Sequence, residues 1–479
     1  MAAVDRNAAA LGVSPQQLME SAGNAVARAV RAVADPGDDV TLVCGRGNNG
    51  GDGFAAARFL DGFGVTVLLL GRPESIASDE ARANWDALAA AEADARTVTD
   101  SADVGAALGD PDVVVDAMLG TGVTGALRDP EATAAETIND SDAAVVAVDV
   151  PSGVDADTGE TGGVAVDADR VVTFHDGKPG LTGLDADVTV ADIGIPAAAE
   201  TFVGPGDLLA LTRAAESHKG DHGEVLVVGG GPYTGAPALA AQAALRAGAD
   251  LVRVAVPKAV AREVQGYSEN LILRPFVGEY LADEHVHRLL TLAAEHDVVV
   301  LGPGLGDEGE TLDAVATFLD SYEGRAVVDA DALQVVPDVE TSATLVCTPH
   351  QGELRAMGGE TADDWRDRTE LVAGFATELG HTLLVKGAYD VVSDGERVRV
   401  GRTGNPGMTV GGTGDVLAGA VGGLLADRDA GLDPLDAAAI GAYANGRAGD
   451  RVVDTCGFGL VATDLLEELP RALWGERDV

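Results

Sequence analysis

The sequence predicts an α/β protein made of two doubly wound domains, and three observations point there. Short apolar runs rich in Val, Leu and Ala alternate with helical patterns along the chain. The alternation stops near residue 205 and then begins again. Aromatic residues are only 4% of a chain that is 46% hydrophobic and holds 63 glycines in 479 residues, a composition suited to sheets layered with small-residue helices.

Taken in order, Leu18, Ala22, Val26 and Val30 recur at helical spacing and predict an N-terminal helix. Strand runs follow at 40–44, 65–70, 113–116, 144–149, 170–174 and 188–193, with helical stretches between them. Such a series argues a parallel sheet with helices on both faces, so residues 1–210 are expected to form a Rossmann-like three-layer αβα domain. Gly204-Pro205-Gly206 and the polar stretch 213–224 place a boundary near residues 207–215. In residues 211–479 the strand runs are 225–228, 251–256, 298–301, 326–329, 345–348 and 383–386, with helices over 237–247 and 365–379. No fixed-period repeat is present.

The formal net charge is −46, and the chain has only four lysines, Lys178, Lys219, Lys258 and Lys386. Acid spread along the whole length favours a cytoplasm loaded with salt, where charge repulsion is screened over a few Å. It disfavours nucleic-acid binding, which needs a basic face. No run of 18 apolar residues suggests a membrane span, and the opening residues lack a signal-peptide pattern, so a cytoplasmic protein is expected. Cys44, Cys347 and Cys456 show neither metal spacing nor a disulfide framework.

The loops after the strands carry the chemistry. Gly45-Arg46-Gly47-Asn48-Asn49-Gly50-Gly51-Asp52-Gly53 ends the first strand. Three more loops, 116–122, 149–155 and 173–180, end others, and in an open parallel sheet these converge on one crevice. Asn49, Asp116 and Ser152 offer hard oxygen ligands with one carboxylate, a set better suited to a weakly charged or alkali cation than to zinc, with no single ion fixed by the spacing. In the second half, Gly412-Thr413-Gly414-Asp415 opens an apolar helix over 416–425. Backbone N–H groups there form an anion hole for a transferring phosphoryl, and Asp415 is placed to take a proton from an attacking hydroxyl. Lys386, in a chain almost without lysine, suits a phosphate as a point charge. Loops at 229–237, 301–306, 329–333 and 348–353 also end strands, and His350 lies in the last.

The run 45–58, with 116–122 and 149–157, resembles the NAD(P)H-hydrate epimerase family, as do Asp5-Arg6-Asn7 and Leu18-Met19-Glu20-Ser21-Ala22-Gly23. The resemblance implies K⁺ held by Asn49, Asp116 and Ser152. It also implies substrate contacts at Asn48, Asn49, Gly50, Gly51, Asp52, Gly120, Thr121, Gly122, Val123, Thr124, Gly125, Ala126 and Asp149. Epimerising a hydrated nicotinamide ring at carbon 6 calls for a group that shuttles a proton, and Asp149 is assigned that role. The second half resembles the ribokinase-like ADP/ATP-dependent NAD(P)H-hydrate dehydratases from His218-Lys219-Gly220-Asp221 to about residue 425. Here the resemblance implies substrate contacts at Ala236, Gly304 or Gly306, His350 and Asp415. It implies nucleotide contacts at Lys386, Gly387, Ala388, Tyr389, Asp390 and Gly414, with Mg²⁺ accompanying ADP or ATP. The chain has Thr409-Val410 where that family often has Ala-Thr, and Gln334 where Asn is frequent.

The expected activity is therefore repair of hydrated NAD(P)H, by epimerisation and by dehydration of the S form. The competing reading is a sugar or vitamin-precursor kinase fused to a non-catalytic binding domain. Small nicotinamide and adenine nucleotides are the expected partners, without nucleic acid or membrane, and a homo-oligomer is open because related folds often assemble.

Overall fold

Two sheets, the first parallel and the second largely so, carry the chain in a computed structural model, whose described residues are 1–122 and 125–475. They belong to two compact units: Leu11–Pro196, and a second comprising Met1–Ala10 with the residues from Ala197 onward.

In the first unit the strands are β1 (Asp39–Cys44), β2 (Gly64–Leu70), β3 (Asp94–Val98), β4 (Val113–Ala117), β5 (Ala144–Val148), β6 (Arg170–Phe174) and β7 (Asp187–Ala191). They lie in the order β3-β2-β1-β4-β5-β6-β7, every pair parallel. Val43, Leu68, Val114 and Ala147 share one core with Leu108 and Ile138 from helices Val104–Leu108 and Glu131–Asn139. Helices Pro15–Arg31 and Asn48–Phe59 also pack on the sheet, where Leu42 and Val67 are fully buried. The strand order reverses between β1 and β4, so the loops leaving these two strands flank a crevice.

The second unit has β8 (Glu224–Val228), β9 (Leu251–Ala255), β10 (Ile272–Leu273), β11 (Val298–Leu301), β12 (Arg325–Val328), β13 (Thr344–Cys347), β14 (Thr382–Val385), β15 (Asp390–Ser393) and β16 (Val398–Gly401). Their order is β10-β9-β8-β11-β12-β13-β14-β15-β16, parallel except for the last two pairings. Successive side chains divide between the faces, as the pleat requires. Val225, Val227, Val298 and Val300 pack with helices Gly235–Ala247, Thr413–Ala426, Pro434–Cys456 and Ala462–Trp474. Leu226, Val228, Val299 and Leu301 pack with Leu289, Phe318, Leu354 and Val372 on the other face.

The predicted strands are found within a residue or two of their expected ends, and helix Trp365–Leu379 has its expected span. Four strands lacked a readable signal. β3 is a mostly exposed edge with sequence DARTV, and β10 is only two residues long. The β15–β16 hairpin follows β14 after too short a turn to announce itself. The N-terminal ten residues, expected in the first domain, belong with the second unit. There the Asn7 side chain donates to Ala199 O at 3.1 Å and Asp207 Oδ2 at 3.0 Å, and accepts from Gly206 N at 2.8 Å. The division also falls at residues 196 and 197, ahead of the expected 207–215. Among the described residues no helix is long and apolar enough to cross a membrane.

Backbone contact between helices Thr413–Ala426 and Gly235–Ala247 sets the position of Asp415. A Cβ on Gly419 would stand 2.0 Å from Ala240 O, so only glycine permits this approach. Gly419→Val should force the helices apart and cost about 2 kcal/mol, read as a lower thermal-unfolding midpoint. Gly105→Ala, at a position where an added Cβ meets nothing within 4 Å, should leave that midpoint unchanged or slightly raised.

Candidate active sites

The first crevice is built around a buried carboxylate. Asp116, near the end of β4, is fully buried. Its Oδ2 accepts from Ser152 N at 2.7 Å, while Oδ1 accepts from Ser152 Oγ at 2.7 Å and Met118 N at 3.1 Å. Burial pushes the Asp116 carboxyl up to about 6, against the lowering effect of those three donors. Ser152 Oγ also accepts from Leu119 N at 3.0 Å, which ties the 149–155 loop to Gly120. A Cβ on Gly120 would lie 3.3 Å from Asn49 Oδ1 and 3.4 Å from Asp149 Oδ2. The expected residues Asn49, Asp116, Gly120, Asp149 and Ser152 are therefore brought together.

Asp149 follows β5 with φ 65°, a left-handed conformation that non-glycine residues rarely adopt and that tends to mark functional turns. Its Oδ1 accepts from Thr173 Oγ1 at 3.1 Å and pairs with Lys178 Nζ at 2.9 Å. Lys178 Nζ also donates to Phe174 O at 2.8 Å and Asp176 O at 3.2 Å, so its three N–H groups are matched by three acceptors. The contacts hold Oδ1 and leave Oδ2 on the Gly120 side. Sequence reasoning noted the 173–180 loop but did not assign Lys178. The lysine scarcity that singled out Lys386 would have found it.

Asn48 to Asp52 are not a loop ahead of a helix, as expected, but its first turns, because the helix runs Asn48–Phe59. Gly51 is buried, and a Cβ there would stand only 2.6 Å from Met19 Cε. Gly50 is buried too, and a Cβ there would stand 2.0 Å from Gly45 O. Both are packing positions in the turn, whereas Asn48 is exposed. Thr121, Gly122, Gly125 and Ala126 are exposed, and Val123 and Thr124 lie outside the described residues.

The second site centres on Lys386, just past β14. Its Nζ lies 2.9 Å from Asp329 Oδ1 and 3.7 Å from Glu353 Oε2, and a Cβ on Gly414 would approach it to 3.3 Å. Burial works against the ammonium, but Asp329 and Glu353 outweigh it and hold its pKa above the ordinary value. Thr348 Oγ1 donates to the same Asp329 oxygen at 2.7 Å. Asp415 is the third residue of helix Thr413–Ala426. Burial, then Asp329, push its carboxyl up to about 7, while Lys386 works the other way.

His350 caps helix Gln351–Ala356: its Nδ1 accepts from Gly352 N at 3.0 Å and Glu353 N at 2.9 Å. That assigns the ring proton to Nε2, and the side chain is 59% exposed. Glu353 Oε2 accepts from His350 N at 2.7 Å, which links the histidine to the lysine cluster. Gly302, Gly304 and Gly306 all have positive φ, and a Cβ on Gly304 would stand 3.2 Å from Ala236 Cβ. A Cβ on Gly302 would meet Asp329 O at 1.9 Å, so this loop abuts the lysine's partner. Gly387 N donates to Asp390 Oδ1 at 2.9 Å and closes the expected nucleotide loop, with exposed Ala388 and Tyr389 at its tip. Tyr389 stacks on Trp365 at 5.6 Å. Asp390 is pushed by burial up to about 7. Asn405 accepts from Gly407 N and donates to Asp450, so it shapes the Pro406–Thr409 turn from within. Asp329, Thr348 and Glu353 were not singled out from sequence. Among the described residues no group of three or more His, Cys, Asp or Glu forms a ready metal cage.

Residues 225–471 match the family described as NAD(P)H-hydrate dehydratase, and residues 15–180 match the YjeF-related protein N-terminus. A relative in Pyrobaculum aerophilum, named bifunctional NAD(P)H-hydrate repair enzyme Nnr, is 46% identical over 99% of this chain and 97% of its own. One of the same name in Methanothermobacter thermautotrophicus is 44% identical over 99% of this chain and 94% of its own. The fold of the second unit is also that of a ribokinase-like superfamily protein from Enterococcus faecalis, with TM-score 0.50 and 22% identity over 57% of this chain and 94% of that one.

Asp415 should titrate near 7 in carboxyl-detected NMR of the unliganded protein, and Lys386→Met, which removes the charge that opposes the shift, should move it higher. The raised value also has a stability sign. Asp415 favours the fold at low pH, and that contribution is lost as pH rises toward about 7.

Proposed function

The chain belongs to the bifunctional NAD(P)H-hydrate repair enzyme family, and from that premise we propose how its two sites divide the work. The first crevice interconverts the R and S hydrates of NAD(P)H at carbon 6. The second site consumes the S hydrate with ADP or ATP and returns NAD(P)H. The domains are taken as residues 1–210 and 211–479.

The observation that carries the dehydratase half is the Asp415 carboxylate at a helix N-terminus with Lys386 beside Gly414. Hydroxide is a poor leaving group, so the ring hydroxyl is first phosphorylated. Asp415 takes the hydroxyl proton as that oxygen bonds to the terminal phosphorus and the bond to the leaving nucleotide oxygen breaks. The lone pair of the ring nitrogen then expels phosphate from carbon 6. Loss of a proton from carbon 5 restores the double bond of the reduced nicotinamide. Lys386 and the N–H groups of the Thr413–Ala426 helix offset phosphate charge. His350, Ala236 and Gly304 or Gly306 border the substrate, and Lys386 to Asp390 with Gly414 hold the nucleotide. Mg²⁺ fits as a companion of the nucleotide phosphates, since it is commonly held by one or two carboxylates plus phosphate oxygens, and Asp329 and Glu353 both stand beside Lys386.

In the first crevice Asp149, with Oδ2 beside Gly120, passes a proton to the carbon-6 hydroxyl as its C–O bond breaks and water leaves. The lone pair of the ring nitrogen stabilises the cation so formed, and water adding back to either face returns the proton to Asp149. Lys178 and Thr173 orient the carboxylate. K⁺ fits Asn49, Asp116 and Ser152: the Asp116 carboxylate is fully buried and its hydrogen bonds come from neutral donors. Bound there, the ion supplies fixed positive charge next to the reacting ring.

Offered the R hydrate of NADH with KCl, Mg²⁺ and ADP or ATP, the protein should restore absorbance at the reduced-nicotinamide band. Release of a stable phosphorylated sugar or vitamin precursor instead would sink the reading. Asp415→Ala should abolish recovery of NADH from either epimer while exchange between epimers, followed by chromatography, persists. Lys178→Met, which frees Asp149 to turn, should slow that exchange by roughly 10²-fold and leave turnover of the S hydrate unchanged.

A further inference from the structure

We propose that Arg46 binds a phosphate of the hydrated nucleotide at the first site, fixing where the substrate lies without touching the reacting ring. The inference rests on the epimerase reading above and goes beyond the residues assigned there. A dinucleotide brings a pyrophosphate into a protein of net charge −46, so a cation at the crevice has a clear use. Lys178 cannot serve, because Asp149, Phe174 O and Asp176 O already take its three N–H groups.

Arg46 has the right place and the right spare capacity. It lies between β1 and the Asn48–Phe59 helix, whose N-cap, Gly47, supplies no side-chain hydrogen bond to the first turn. Its stem crosses Gly71 at the end of β2, where a Cβ would come within 2.8 Å of Arg46 Cδ. One guanidinium nitrogen lies 3.2 Å from Glu131 Oε1, a buried carboxylate at the start of helix Glu131–Asn139. Glu131 thus holds one edge of the fork, while the Arg46 side chain stays 50% exposed. A guanidinium has five donors in a plane and matches phosphate oxygens in pairs.

A second feature of the same helix terminus points to a ligand. Asn49 is only 8% exposed, and its Nδ2 has no hydrogen-bond partner. Asn49 Oδ1 faces Gly120 and the proposed cation, which leaves Nδ2 as a donor to an acceptor on the bound nucleotide. Arg46 and Asn49 would then grip the phosphate end and the reacting end of one substrate.

The test uses the full chain with purified R hydrates of NADH and NADPH, following recovery of the reduced nucleotide. The S hydrate, which bypasses the first site, serves as the folding control. Arg46→Ala should raise KM for the R hydrate roughly tenfold or more, with kcat within about twofold and S-hydrate kinetics unchanged. An equal rise for both hydrates assigns the pyrophosphate, and a rise confined to the NADPH hydrate assigns the 2′-phosphate. Either outcome supports the proposal. Unchanged KM for both, or loss of kcat at unchanged KM, overturns it. If Arg46→Ala also loses S-hydrate turnover, Glu131→Gln decides: it keeps the guanidinium but loosens its tether, and should raise KM a few-fold, whereas no change in KM overturns the proposal. Failure of the wild-type protein to convert the R hydrate at all would remove the epimerase reading itself, and this inference with it.

Discussion

A carboxylate paired to a lysine at the end of a parallel strand is the interaction on which both sites depend. Asp149 meets Lys178 after β5 and β6, and Asp329 meets Lys386 after β12 and β14. Half of the chain's four lysines are spent on these two contacts. Each pair is largely withdrawn from water, and removing one partner of such a pair costs far more than breaking a surface bridge, on the order of 3–5 kcal/mol. That cost is what keeps each carboxylate in one orientation.

The two pairs nevertheless do different jobs. At the first site the lysine's three N–H groups are all taken and it holds Asp149 by one oxygen, which leaves the other on the Gly120 side. At the second, Lys386 stays beside the anion hole, and its neighbours Asp329, Glu353 and Asp415 form a local excess of negative charge. Burial first, and the field of that charge behind it, raise the affinity of Asp415 for a proton and push its carboxyl up to about 7. The field also makes a nucleotide with its cation the natural complement of the cluster.

Glycine contributes geometry more than flexibility. Gly419 allows two helices to touch backbone to backbone, and Gly302 allows its loop to press on the Asp329 carbonyl. These close approaches set the distance between the helix that carries Asp415 and the strand ends that carry Lys386 and His350. A methyl group at either point would push the facing backbone away.

The sequence by itself determined the two α/β domains, most of the strands, and the loops where chemistry gathers. Period-two and helical apolar patterns are local signals, and a strand end in a parallel sheet always faces the same crevice. It also singled out Asp149 and Lys386 just past strand ends and Asp415 in the first turn of a helix. Only the tertiary structure decided which groups pair. Asp329 and Lys386 are 57 residues apart, and Asp149 takes its lysine from a different strand end. It likewise drew Asn48 to Asp52 into a helix and moved the first ten residues onto the second unit. Those outcomes follow from sheet order and from hydrogen bonds between distant segments, such as Asn7 with Gly206, and no local pattern encodes a partner that far along the chain.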